Sequence, residues 1–234
     1  EQVVETPYIQ QGGGRKHGHD VDSSDRVVET TDIQQRGCRS HGNHVETTEQ
    51  GVETTYIQQG GGRNHGNNVE TMERGLELAR KHQVTTIFNP APAVEFPDSV
   101  YPLCDYFTPN ETEAADLAGI PVTNVDEARE AAKIFRDRGV KTALITLGEM
   151  GCYFMNESGE GHVPAFDMSW KVVETTGAGD GFNGGFAAAL AEGKSPDEAI
   201  RYGSATAAIS VTRLGTAPAM PQRSEIEQLV NSWS

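Results

Sequence analysis

Apolar and polar positions alternate with two different periods along the last two thirds of the chain. Val69, Met72, Leu76 and Ala79 recur at three- and four-residue intervals, which predicts an amphipathic helix ending near His82. The β-branched run from Val84 to Phe88 predicts a strand, closed by Asn89-Pro90-Ala91-Pro92. Tyr106 to Thr108 reads as a short strand leading into Pro109 to Glu113 and a helix through Leu117. Asn124 and Glu127 have capping-box spacing for a helix through Arg138, stopped by Gly139. Thr142 to Thr146 is a buried-strand pattern, and Cys152–Met155 and Val163–Phe166 read as strands around the turn 157–161. An extended run from Lys171 to Thr176 then meets a glycine-rich turn and a helix marked by Phe182, Phe186, Ala189 and Leu190. Ser195 and Glu198 cap a helix through about Tyr202, Ser204 to Ser210 predicts another, and Ser224 caps the last. Helices and strands alternate, so the expected class is α/β with a mostly parallel sheet.

The first 68 residues have another texture. Val-Glu-Thr begins again at Val4, Val28 and Val52, a spacing of 24 residues that His17, His41 and His65 also keep. Each unit carries too few apolar groups to offset chain entropy, which predicts a poorly ordered or loosely extended segment; short β-hairpins are the alternative. The domain expectation is therefore a repeat over 1–68 and a folded domain over 69–234. His17, His19, His41, His44 and His65 invite a metal reading, but no carboxylate or cysteine completes a ligand set at recognisable spacing, and repetition alone accounts for them.

Charge narrows the partners. With 34 acidic against 19 basic residues in 234, the formal net charge is −15, which argues against nucleic acid or an anionic membrane. Cys38, Cys104 and Cys152 are odd in number and lack CxxC spacing, so reduced thiols and a cytoplasmic setting are expected. The sequence shows neither a signal-peptide pattern nor an apolar run of membrane-spanning length.

The densest chemistry lies in Glu174 to Gly185. Gly177, Gly179 and Gly181 occupy three of five positions between a β-prone run and a helix. Such a turn aims backbone N–H groups and the positive helix terminus at an anion, and glycine lets a phosphate approach the backbone. Asp180 places a carboxylate inside that anion site, which suggests a base for phosphoryl transfer; an ordinary helix cap is the plainer reading. Asn110, Thr146–Gly151 and Gly177–Asp180 all follow predicted strands, so one crevice at the carboxyl ends can hold them together.

Asn89-Pro90-Ala91-Pro92-Ala93, Thr108-Pro109-Asn110-Glu111-Thr112-Glu113-Ala114, Thr146-Leu147-Gly148-x-x-Gly151, Thr175 to Gly184 and Ser210-Val211-Thr212-Arg213-x-Gly215 closely resemble the ribokinases of the PfkB group of carbohydrate kinases. Five blocks in order and in register are specific, and the resemblance runs from about Val69 to the C-terminus.

The resemblance implies a three-layer α/β sandwich and transfer of the ATP γ-phosphoryl group to a sugar hydroxyl, D-ribose first. It implies Asp180 as the base and the amides of Gly177, Ala178, Gly179 and Asp180 as the anion hole. Asn110 and Glu113 match the element tied to Mg²⁺ and phosphate, through water, while a helix cap and first-turn acid is their structural reading. Thr146, Gly148, Glu149 and Gly151 match the segment flanking ATP, and Ser204 the adenine side. A monovalent cation, K⁺ in the family, implies Glu174, Thr176, Ser210, Arg213, Gly215 and Ala219. Two departures are visible. Glu174 stands where ribokinases usually have aspartate, and the family's sugar-pocket strands, glycine pair and lid have no counterpart in 1–68. The position of a family sugar-contacting glutamate falls on Gly66. An N-terminally truncated fold preceded by a low-order repeat is therefore expected, with a sheet edge open to self-association.

Overall fold

The computed structural model describes residues 44–47, 53–58, 65–93 and 95–232, all within one unit spanning Gln35–Ser234. Among the described residues, seven strands form one sheet in chain order: β1 (His44–Thr47), β2 (Glu53–Gln58), β3 (Thr85–Asn89), β4 (Tyr106–Phe107), β5 (Thr142–Thr146), β6 (Cys152–Asn156) and β7 (Gly159–Val163). The centre, β2 to β5, is parallel, and the two margins are antiparallel hairpins. The helices are α1 (His65–Lys81), α2 (Glu111–Ala118), α3 (Val125–Asp137), α4 (Ala178–Ala191), α5 (Pro196–Ser210) and α6 (Arg223–Asn231).

Alternation along the central strands creates two cores. Phe88 of β3 and Ala143 and Ile145 of β5 face a core built with Met72, Leu76, Phe107, Ala114 and Phe135, from α1, β4, α2 and α3. Ile87 and Leu144, one position over, face Phe182, Phe186, Leu190 and Ile200 from α4 and α5. Helices therefore cover both faces of the sheet, which is the three-layer sandwich expected from the resemblance, with near-continuous apolar runs in the doubly covered strands.

The local chemistry follows the sequence at most boundaries. Asn110 caps α2, accepting from the Glu113 N–H at 2.9 Å, while Glu113 Oε2 accepts from the Asn110 N–H at 2.8 Å. Ser195 and Glu198 close the same reciprocal box at α5. At α3, Asn124 accepts from the Glu127 N–H, but the Glu127 carboxylate turns to the N–H and hydroxyl of Thr123 instead. At one margin, Glu160 of β7 takes a bidentate contact from Arg129 of α3 and accepts from the Tyr153 hydroxyl. Arg129 first, then the Tyr153 hydroxyl, lowers the Glu160 carboxyl to about 2, while burial first, then Glu160, raises the Tyr153 phenol to about 12 against the opposing Arg129 charge.

Several expectations change. Strands β1 and β2 and the start of α1 at His65 lie within the stretch expected to be a low-order repeat, and β1–β2 is the hairpin alternative. Within the repeat, β1 pairs one side of β2, and the parallel edge of β3 supplies ladder partners on the other side and joins the hairpin to the sheet. His17, His19 and His41 fall outside the described residues. Lys171 to Thr176 is no strand, because the N–H groups of Val173 and Glu174 both donate to the Val211 carbonyl rather than to a ladder. The last hairpin turns at Glu157-Ser158, which moves β7 upstream of the expected Val163–Phe166. Ser204 to Ser210 is continuous with the preceding helix, and α6 is capped by Gln222 with Glu225 rather than by Ser224.

The junction of α4 and α5 explains why a helix interior tolerates glycine. A Cβ on Gly185 would sit 2.2 Å from Thr206 Oγ1, and one on Gly203 would sit 2.8 Å from the Phe182 carbonyl oxygen. Gly184, on the outer face, would meet nothing within 4 Å. Gly185→Ala is expected to lower stability by about 1–3 kcal/mol through overpacking. Gly184→Ala is expected to raise it by roughly 0.5–1 kcal/mol through reduced backbone entropy. Urea midpoints of the two variants moving in the same direction would contradict this packing.

Candidate active site

Three parallel strands end side by side. The Thr108 N–H donates to the Phe88 carbonyl at 2.9 Å, and the Thr146 N–H donates to the Pro109 carbonyl at 3.0 Å. An isolated parallel bridge joins Asn110 to Thr146, and Asn89 Nδ2 donates to the Thr108 carbonyl at 2.6 Å. The strand ends are thus tied into one rim, onto which the N-terminus of α4 closes.

A cleft of about 130 Å³ lies between them. It brings together six of the residues singled out in the sequence: Asn110, Glu113, Thr146, Gly177, Gly179 and Asp180. Asn89, Ala91, Thr108 and Asn183 complete its lining. For Asn89 the signal was its place after a predicted strand; for Asn183 it was the three-residue step from Asp180, which sets both near one helix face.

The turn before α4 is a left-handed residue, Gly177 at φ +83°, where a side chain would be strained and its Cβ would approach Thr216 Cγ2 at 3.0 Å. The Ala178 N–H is taken by the Thr175 carbonyl at 3.1 Å, and Ala178 does not line the cleft. The N–H groups of Gly177 and Gly179, on either side, have no protein partner among the described residues. A Cβ on Gly179 would meet no atom within 4 Å, so the space over that amide is open. This is the geometry of an anion cradle at a helix N-terminus.

Asp180 lies in the first turn of α4 and is partly buried. Glu113 is 7% exposed, and burial, aided by nearby Glu111, raises its carboxyl above the ordinary range against the opposing Asn110 N–H bond. Among the described residues, no lysine or arginine lines the cleft. Two carboxylates beside an anion cradle need a cation, and Mg²⁺, which keeps its waters and takes few direct carboxylates, fits that donor set. Glu113 Oε2 already serves the cap, which leaves Oε1 for a hydrated ion.

The remaining candidates lie nearby but outside the cleft lining. Gly148 and Gly151 form the tight turn after β5, at φ +55° and +92°, and a Cβ on Gly151 would sit 2.1 Å from the Val163 carbonyl oxygen. Glu149 is exposed on that turn and Ser204 is buried within α5. Of the six residues implied for a monovalent cation, Glu174 and Thr176 precede α4, Ser210 ends α5, and Arg213, Gly215 and Ala219 lie in the segment after it. Glu174 Oε2 accepts from the Gly215 N–H at 2.9 Å, and Gly177 abuts Thr216. Thr176 lies between those contacts and Ala219 N–H is held by Thr216. Ser210 donates to the Ala207 carbonyl, and the Arg213 guanidinium pairs with Glu225, so those two side chains are already engaged.

An α/β sandwich with an anion cradle and an acid at the carboxyl edge of its sheet defines a class of phosphate-handling proteins. Residues 29–223 match the family model described as pfkB family carbohydrate kinase, and the chain belongs to that family. It is 45% identical over 148 residues to a ribokinase of Haemophilus influenzae, covering 63% of this chain and 48% of that protein. It is 37% identical over 153 residues to a deoxyribokinase of Salmonella typhi, covering 65% of this chain and 49% of that protein. The structure of Arabidopsis thaliana ribokinase complexed with ribose and ATP superposes with a TM-score of 0.69 at 28% identity, covering 77% of this chain and 56% of that one. The chain spans about half the length of the curated relatives it matches.

The raised Glu113 carboxyl has a stability consequence. Its folded pKa lies above the unfolded one, so the folded state binds the extra proton and stability falls as pH rises through that window. Glu113→Gln keeps an acceptor for the Asn110 N–H and removes the titration. In EDTA, its melting temperature is expected to exceed that of wild type at pH 7 and to converge with it at pH 4. A constant offset at both pH values would contradict the assignment.

Proposed function

We propose that the chain is the nucleotide and catalytic part of an ATP-dependent sugar kinase of the ribokinase type. The observation that carries the reading is the convergence of Asp180, the Gly177 and Gly179 amides, Asn110 and Glu113 on one cleft. Asp180 accepts the proton of the attacking sugar hydroxyl, with D-ribose the first substrate to try. A first-turn carboxylate is a weak base, but phosphoryl transfer depends more on positioning and charge stabilisation than on base strength. The Gly177 and Gly179 amides receive the transferred group. Asn110 and Glu113 would hold hydrated Mg²⁺, which would offset negative charge on the phosphates. Thr146, Gly148, Glu149 and Gly151 flank the nucleotide, with Ser204 toward adenine. Residues 174–176 and 210–219 would hold a monovalent cation, which would supply positive charge beside the start of α4. A cytoplasmic setting agrees with the acidic composition and with the buried, unpaired thiols of Cys104 and Cys152.

A second reading, nucleotide binding without sugar turnover, is favoured by the size of the cleft. At about 130 Å³ it is well below the roughly 300–1,000 Å³ of sites that enclose a small ligand. No family sugar motif is found in 1–68 to enlarge it. A coupled ADP-release assay with ribose and Mg²⁺ separates the two. Ribose-dependent turnover that falls at least about a hundredfold in Asp180→Asn is expected of a base acting in transfer. ATP binding by calorimetry without turnover would leave only the second reading.

Self-association through a sheet edge belongs to the same proposal. Among the described residues, strand β1, four residues long, and β7 end the sheet at its two margins, and no helix is long and apolar enough to cross a membrane. Sedimentation velocity should show concentration-dependent dimers; a monomer across the micromolar range would remove this element.

A further inference from the structure

Asn183 has one buried polar atom that nothing explains. The residue sits one turn into α4 and is 2% exposed. Its Nδ2 donates to the Gly179 carbonyl at 3.0 Å, which settles which end of the amide points where, since an oxygen there would face another oxygen. Among the described residues, its Oδ1 is the buried side-chain polar atom with no hydrogen-bond partner. Leaving an acceptor buried and unmet lowers stability, so such a group calls for a partner from outside the chain.

The residue lines the cleft shared with Asp180, Asn110 and Glu113. The carboxylates of Asp180 and Glu113 accept when ionised and cannot satisfy another acceptor. A phosphoryl oxygen is an acceptor too, so the anion cradle's own guest is excluded at this point. The missing partner is a hydrogen-bond donor, and among the guests of this site an alcohol hydroxyl and a cation-bound water carry one.

We infer that Asn183 Oδ1 is a binding group for a hydroxyl-bearing guest, accepting from either the acceptor alcohol or a water carried by the hydrated cation. The inference rests on the kinase reading and adds to it. The Gly177 and Gly179 amides take the negative oxygens, and the Asn183 carbonyl, fixed by its bond to Gly179, selects the hydroxylated side of the reacting pair. Because the same amide group bonds to the Gly179 carbonyl, the two halves of the site are held in one register along α4.

The test uses the full chain and thermal shift rather than turnover. Asn183→Leu keeps the branched outline and removes the unmet acceptor, while Asn183→Asp restores an acceptor. In ligand-free buffer the Leu variant is expected to melt at or above the wild-type temperature. Titration with ribose alone, MgCl2 alone and ATP with MgCl2 then finds the source of the donor. Apparent affinity weakened about three- to tenfold in Leu and recovered in Asp is expected for ribose if the donor is the alcohol, or for Mg²⁺ if it is bound water. A ligand-free Leu variant that melts several degrees lower would overturn the inference, because the oxygen would then have an internal role. Unchanged affinities in Leu would overturn it while leaving the kinase reading intact. A wild-type chain that responds to none of the three ligands would remove both.

Discussion

The site depends on how three short parallel strands end together. β4 contributes only two residues to the ladder, yet the chain beyond it stays paired: Thr108 bonds back to Phe88 and Thr146 to Pro109. Asn89 spends its side-chain amide on the Thr108 carbonyl at the same edge. Parallel pairing aligns all carboxyl ends on one side, so residues more than fifty positions apart, from Asn89 to Thr146, become neighbours without any contact designed between their side chains.

Onto that rim the glycines of α4 bring the second half of the site. Gly185 and Gly203 let α4 and α5 approach until a methyl group would collide, and this depth sets the height at which the helix begins. Gly177 then turns the chain in a left-handed conformation that releases its own amide and that of Gly179 toward the cleft. The loop before the turn is held by Val211 and Gly215 rather than by a strand, so α4 starts from an anchored but open segment. Packing and function are therefore coupled through residues that have no side chain.

The cleft is electrostatically incomplete. It gathers Asp180 and Glu113 without a lysine or arginine among its described lining residues, and Glu113 is pushed toward its neutral form by burial. Acids placed around an anion cradle make chemical sense when a divalent cation and a phosphate enter together, each offsetting the other. An acceptor oxygen on Asn183, set one turn below the cradle, extends the same logic from charge to hydrogen bonding.

Periodicity and capping chemistry were enough to locate α2, α3, β3, β5 and the start of α5, because these elements carry their own signals: reciprocal caps at Asn110 and Ser195, and β-branched runs bounded by Pro or Gly. The motif from Gly177 to Asp180 was legible for the same local reason. The irregular path of Lys171 to Thr176 was not, since a β-prone run becomes a strand only if a neighbour offers a ladder, and here the neighbour is a single carbonyl at Val211. Nor was the fate of 53–58, whose polar, thinly apolar sequence says little until β3 presents a free edge. Residue types and turn chemistry by themselves marked Gly177 to Asp180 as a glycine turn that opens a helix and carries a carboxylate in its first turn. Tertiary structure alone decided that Asn89, Thr108 and Asn183 share their cleft and that Ala178 does not, because long-range pairing and helix depth are properties of the whole sheet, not of any one segment.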